Sequence, residues 1–324
     1  MKILVVRFSS IGDIVLTTPV LRALKEQLNN PTIHYVTKQQ FASIVENNPH
    51  VDRVFTMNKS IDEVIPELKV EDYDQILDLH NNIRTQGLKK KLRKPSSTLR
   101  KLNWKKWLLV KLKMNKMPDL HVVDRYFEVA HSVGVKSDGK PGEFYIDSKD
   151  KVDVSQLAVA PKSYLTVAIG AQYKTKCMPK ELLLNILEKV DMPVVLVGGK
   201  MDNALAEEVV NALGERIINA CGKYNLAGSA SIVEQSEKLL TNDTGMMHIA
   251  SCLNIPIVSV WGNTVPDLGM YPYYPNQPEK YSIHEVKSLN CRPCSKIGYQ
   301  KCPKGHFKCM LGQDVDGIIS KIRT

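Results

Sequence analysis

The feature that most constrains this 324-residue chain is a unit used repeatedly along it. A short apolar run ends in a loop rich in Gly, Ser and Thr, and a segment of helical period follows. Residues 3–6 lead into Arg7-Phe8-Ser9-Ser10-Ile11-Gly12-Asp13 and then into a helix carrying Leu16, Val20, Leu24 and Leu28. Residues 33–36, 53–56 and 75–79 read as further strands. The alternation restarts at 165–169 and continues at 194–197, 216–218, 238–240 and 257–260. Uninterrupted apolar strands separated by helices form parallel sheets covered on both faces, so the fold class is α/β. At this length one core is too few, and the two runs predict two domains, 1–155 and 156–324, with a linker near 147–161.

Ligands of open α/β sheets sit at the carboxyl edge of the strands, which directs attention to the loops there. In the second half a strand ends in Thr241-Asn242-Asp243-Thr244-Gly245 and a helix runs on to about residue 253. Free N–H groups at such a helix start attract anions. The strand at 257–260 ends in Gly262-Asn263-Thr264-Val265-Pro266. Two other loops share the edge: Gly170 to Pro179, with Lys174 and Lys176, and Gly198-Gly199-Lys200. Loops of this kind gathered at one edge favour a phosphate-bearing ligand. An ordinary βαβ unit with a capped helix is the competing reading of the turn at 241–245. Neither the dinucleotide fingerprint G-x-G-x-x-G nor a P-loop is present.

The formal net charge of +10 is concentrated in one place. Residues 89–116 hold twelve Lys or Arg and no acidic residue; without them the chain carries −2. A helix over 103–113 would interleave Trp104 and Trp107 with these cations. It reads as a solvated helix packed on its domain, as a surface for an acidic lipid or glycan, or, least favoured, as a nucleic-acid site, since no nucleic-acid-binding fold accompanies it. No run reaches the roughly 20 apolar residues of a membrane span. The N-terminus reads as a strand start rather than a signal peptide, which predicts a cytoplasmic protein.

Three motifs resemble those of glycosyltransferase family 9, the lipopolysaccharide heptosyltransferases, and they span nearly the whole chain in the family's order. They are Arg7-Phe-Ser-Ser-Ile-Gly-Asp13 through Pro19, Gly170-Ala-Gln-Tyr-Lys-Thr-Lys176-Cys-Met-Pro179, and Asn242-Asp-Thr-Gly-Met-Met-His248-Ile-Ala250 through Gly262-Asn-Thr-Val-Pro266. The resemblance implies two Rossmann-like domains facing a central cleft, the GT-B architecture, with a nucleotide-sugar donor held by the C-terminal half and an acceptor by the N-terminal half. It implies inverting, metal-independent transfer of a heptose or related sugar from ADP-heptose to a lipopolysaccharide inner-core acceptor, with no cofactor besides the co-substrate.

By the same resemblance Asp13 matches the catalytic base, and Lys176, Asp243, Thr244, Gly245 and His248 match donor-binding positions. Ser9, Ser10, Gly12, Lys105 and Lys106 become candidate acceptor residues. The basic segment gains a role at an anionic lipid-linked saccharide on the inner face of the cytoplasmic membrane, with the protein peripheral there. Where the family carries Trp and Arg-Trp this chain has Tyr173 and Cys177-Met178, an expected reshaping of the wall beside the lysine that leaves the sugar and nucleotide open. The family's acidic adenosine contact has no obvious counterpart in the sequence. A nucleotide-sugar epimerase or hydrolase of the same fold and a noncatalytic glycan- or membrane-docking protein are the alternatives.

Seven cysteines in a chain expected to stay in the cytoplasm predict reduced thiols. Cys291, Cys294, Cys302 and Cys309 have a spacing that suits a structural zinc site, with packing cysteines the favoured reading.

Overall fold

The apolar runs pair into two wholly parallel sheets in a computed structural model that describes residues 1–324. The first holds β1 (Lys2–Val6), β2 (Thr32–Lys38), β3 (Arg53–Met57), β4 (Gln75–Asp78) and β5 (Ser96–Thr98) in the order β3-β2-β1-β4-β5. The second holds β6 (Leu165–Ala168), β7 (Val194–Val197), β8 (Ile217–Asn219), β9 (Lys238–Asn242), β10 (Ile257–Trp261) and β11 (Tyr281–Glu285) in the order β11-β10-β9-β6-β7-β8. The chain therefore has the doubly wound α/β fold of two Rossmann-like domains.

Period-two packing explains why the strands are apolar throughout. In the second sheet Leu165, Val167, Val194 and Leu196 enter one core, while Ala168, Val195 and Val197 enter the core on the opposite face. The first core is closed by α7 (Lys180–Leu187), α8 (Asn203–Leu213) and α12 (Val315–Arg323); α9 (Leu226–Gln235) and α10 (Gly245–Cys252) close the other. In the first sheet Leu4, Val6, Val36 and Ile76 pack with residues of α3 (Ile65–Val70) and α4 (Ile83–Leu92).

Each strand order reverses direction once. In the first sheet β2 and β3 lie on one side of β1 and β4 and β5 on the other, so the switch point falls between β1 and β4. In the second it falls between β6 and β9. At such a point adjacent loops leave in opposite directions and open a crevice for a ligand.

The chain divides into Met1–Lys101 with Leu120–Tyr145, and Leu102–Asp119 with Ile146–Thr324. This differs from a single boundary near 155, because the basic segment leaves the first unit and packs on the second. Its helix α5 (Asn103–Trp107) continues through a π-turn at Leu108–Leu112. Leu109 is buried with Val265, Leu268 and Met117. The Lys113 ammonium donates to the carbonyls of Pro293 at 2.7 Å and Cys291 at 3.2 Å. The chain then returns to the first unit as α6 (Val122–Ala130), beside α2 (Thr18–Gln27). No helix is long and apolar enough to cross a membrane.

Candidate active site

The second unit gathers its site at the β6/β9 switch point. Strand β6 leads into the loop that bears Lys176, and β9 leads into Asp243 and the start of α10. Asn242 ties the two together: its Oδ1 accepts from the Met178 N–H at 2.9 Å and its Nδ2 donates to the carbonyls of Ala168 and Ile169. That leaves the Lys176 ammonium 2.7 Å from Asp243 Oδ2, which also accepts from Thr264 Oγ1 at 2.7 Å. One carboxylate thus holds a cation from the loop after β6 and a hydroxyl from the loop after β10. An ammonium has three donors, so Lys176 can serve Asp243 and an anion together. Thr244 is the N-cap of α10 and Gly245 its first residue, which points that helix's free N–H groups at the same edge.

The loops are braced from the C-terminal side. Arg292, 7% exposed, donates to the carbonyls of Gly262, Thr264 and Val286 and pairs with Glu285. Tyr299 and Thr175 exchange hydrogen bonds, Thr175 N to Tyr299 O at 3.0 Å and Tyr299 N to Thr175 Oγ1 at 2.8 Å. Two glycines permit the approach. A Cβ at Gly262 would lie 2.8 Å from the Thr175 carbonyl oxygen, and one at Gly298, whose φ is +118°, would lie 2.5 Å from Tyr173 Cβ.

The first unit builds a second site at the β1/β4 switch point. Arg7, directly after β1, is 9% exposed and has a partner at each nitrogen: Nε donates to Ser9 O, Nη1 to Leu79 O, and Nη2 lies 2.5 Å from Asp13 Oδ1. The guanidinium stands 5.9 Å over the Tyr126 ring from α6. Burial disfavours its charge, and Asp13, Tyr126 and Tyr35 more than offset that, so its pKa is raised. Asp13 sits in the helix α1 (Ile11–Val15), and its Oδ2 accepts from Ser10 N and Ser10 Oγ. The carboxylate is thereby fixed in orientation.

His80 stands at the same edge, two residues past β4. Its N–H donates to Asp78 Oδ1 at 3.1 Å, and its ring lies 5.4 Å from Phe8. Burial first, then Arg7 and Lys101, push the imidazole down to about 4, so it is neutral at physiological pH.

Comparison with known proteins decides what these sites belong to: glycosyltransferase family 9 (heptosyltransferase) matches residues 62–299. The chain belongs to that family. It is 23% identical over 295 residues to lipopolysaccharide heptosyltransferase 1 of Campylobacter coli, an alignment covering 82% of this chain and 84% of that one. Among solved structures it is similar to the family 9 glycosyl transferase of Veillonella parvula, with a TM-score of 0.80 and 21% identity over 99% of this chain and 96% of that one. It is also similar to the E. coli heptosyltransferase WaaC with ADP, with a TM-score of 0.69 and 19% identity over 100% and 99% of the two chains.

Within this family 9 glycosyltransferase the motif residues fall into two groups. Lys176, Asp243, Thr244 and Gly245 meet at one switch point; Ser9, Ser10, Gly12 and Asp13 lie at the other. Lys105 and Lys106 are in the basic segment, which belongs to the second unit, while Ser9, Ser10 and Gly12 belong to the first. His248 is 2% exposed. Cys177 and Met178 are likewise buried, Met178 in the core with Leu182 and Leu183.

Three residues escaped the sequence reading. Arg292 is hidden inside the cysteine spacing, and His80 has no motif of its own. Asp202 lies against Gly170 and Gly198 at the sheet edge and accepts from Gly199 N at 2.9 Å. Its signal was a carboxylate three residues after a Gly-Gly pair, where a helix-start cap belongs. All seven cysteines are free. Burial, then Cys291, pushes the Cys294 thiol up to about 11, and burial does the same for Cys309. No three His, Cys, Asp or Glu side chains are grouped to hold a metal ion.

Proposed function

We propose that this protein transfers a heptose from ADP-heptose, with inversion, to an anionic lipid-linked inner-core saccharide of lipopolysaccharide. The observation that carries the reading is the meeting of Lys176, Asp243 and the N-terminus of α10 at the β6/β9 switch point. A cation and free helix amides at one sheet edge suit a nucleoside diphosphate. The relatives' names, lipopolysaccharide heptosyltransferase 1 and a heptosyltransferase with ADP, support heptose and ADP as the donor's two halves.

The roles divide between the units. In the first, Asp13 accepts the proton of the attacking acceptor hydroxyl. The oxygen forms its new bond to the anomeric carbon on the face opposite ADP, and the bond to the β-phosphate oxygen breaks, its electron pair leaving with the diphosphate. Charge builds on that oxygen, where Lys176 and the α10 amides stabilise it, so the step calls on no metal and no cofactor. Arg7 and Ser10 hold the Asp13 carboxylate in position.

The acceptor's lipid places the reaction at a membrane surface, here the inner face of the cytoplasmic membrane. The exposed Trp104 and Trp107 among lysines supply the contact. A calorimetric titration with ADP, GDP and UDP tests the donor assignment: ADP is expected to bind and to compete with ADP-heptose, while equal affinity for all three or no binding at all would overturn it.

A further inference from the structure

We propose that His80 is an acceptor-binding residue, its imidazole hydrogen-bonding a sugar hydroxyl beside the one that Asp13 deprotonates. The inference rests on the assignment of the acceptor to the first unit.

Position is the first argument. His80 follows β4 and Asp13 follows β1, so the two flank the crevice at that sheet's switch point. The charged groups around the ring are Arg7 and Asp13 from the β1 loop, Asp78 from β4, and Lys101. The ring is not free to wander. Its backbone is tied to Asp78, its ring sits 5.4 Å from that of Phe8 at a tilt of 40°, and Phe8 is itself 1% exposed.

The second argument is an unmet bond. His80 Nδ1 is buried and has no hydrogen-bond partner. Native proteins rarely leave such an atom unpaired without a reason. A ligand hydroxyl brought to this ring would meet the unpaired nitrogen.

Charge then selects the ligand class. A neutral imidazole has one donor and one acceptor nitrogen, which matches an alcohol, since a hydroxyl also gives one and takes one. It has no charge with which to hold a phosphate, and each nitrogen of Arg7 already has a partner in Asp13, Ser9 or Leu79. The subsite is therefore for a polyol carbon skeleton and not for an anionic substituent.

The test varies acceptor at saturating ADP-heptose in wild type, His80→Ala and His80→Gln, with donor affinity measured separately by calorimetry. His80→Ala is expected to raise the acceptor KM roughly tenfold, the scale of one lost hydrogen bond. Its donor Kd should stay within about twofold, the range of an unrelated surface change. His80→Gln, which keeps a donor and an acceptor, should recover most of the loss. An unchanged acceptor KM in His80→Ala overturns the proposal, as does a defect that glutamine does not relieve or one that falls equally on donor affinity. Thermal unfolding of both variants separates these from misfolding, with His80→Gln as the variant expected to fold normally. If the wild type consumes ADP-heptose without any acceptor dependence, the functional reading itself fails and His80 is not what was tested.

Discussion

Lys176 and Asp243 meet at 2.7 Å across the β6/β9 switch point, joining two loops that lie 67 positions apart in the chain. The pair presets the ammonium at the helix start and leaves it donors to spare. Removing the lysine takes away one charge-assisted hydrogen bond to the donor, about 1.5–3 kcal/mol, and leaves Asp243 to repel a diphosphate. Lys176→Ala is expected to weaken ADP binding by roughly 10- to 100-fold in calorimetry. Asp243→Asn should weaken it less, and the two effects should be non-additive in a double-mutant cycle because the side chains touch.

The close approach of the loops at Gly262 gives a stability prediction. A methyl group there meets the Thr175 carbonyl oxygen at 2.8 Å and Met310 Cε at 2.7 Å. The methionine end can move, but the backbone oxygen cannot move without disturbing the Lys176 loop. Gly262→Ala should cost about 1–3 kcal/mol, as overpacking does. At about 2–4 °C per kcal/mol, a drop in Tm should be plain by calorimetric melting, with weaker ADP binding alongside it.

The depressed His80 pKa predicts an acid-sensitive step. The unfolded imidazole titrates near 6.5 and the folded one near 4, so between these values the unfolded state binds more protons. Stability from this group is fully present above about pH 6.5 and is lost as pH falls towards 4. His34 and His284, also lowered by burial, act with the same sign. Denaturant unfolding at a series of pH values should show a shallower loss between 6.5 and 4 in His80→Gln than in wild type, with parallel curves above 7.

The basic segment makes a prediction that fluorescence can read. Trp104 and Trp107 are 68% and 45% exposed and stack with ring centroids 5.0 Å apart, whereas Trp261, the third tryptophan, is 1% exposed. A blue shift on adding vesicles therefore reports the first two. It is expected with phosphatidylglycerol vesicles, absent with phosphatidylcholine alone and reduced by high salt, since each lysine contributes about 1 kcal/mol near an anionic surface. Trp104→Ala with Trp107→Ala should lower partitioning and leave transfer to a delipidated acceptor unchanged.

What the sequence made legible follows from how each element is stabilised. Strands buried on both faces announce themselves as apolar runs, and β1, β2, β3, β4, β6, β7, β8, β9 and β10 lie where strands were expected, to within a few residues. The edge strands β5 and β11 are polar or half-buried and carry no such run; only pairing with a neighbour makes them strands. The expected first helix breaks in two, with Pro19 entering the first turn of α2. In the site, Lys176 and Asp13 were legible because their loops have motifs. Arg292 and His80 were not, since their roles depend on long-range packing that brings a C-terminal loop against Gly262 and a β4 neighbour against Phe8. The basic segment's attachment to the second unit was hidden for the same reason: Leu109 and Lys113 find their partners more than 150 residues away.

The central claim is acceptor-dependent sugar transfer with Asp13 as base, and the mass of the acceptor after incubation with ADP-heptose tests it most directly. Wild type is expected to add one heptose and release ADP in step with it. Asp13→Asn should do so at a rate lower by about 10²–10⁴, the usual contribution of a general base, with donor affinity within about twofold of wild type. An acceptor of unchanged mass while ADP accumulates, or an Asp13→Asn variant that transfers at the wild-type rate, would contradict the account.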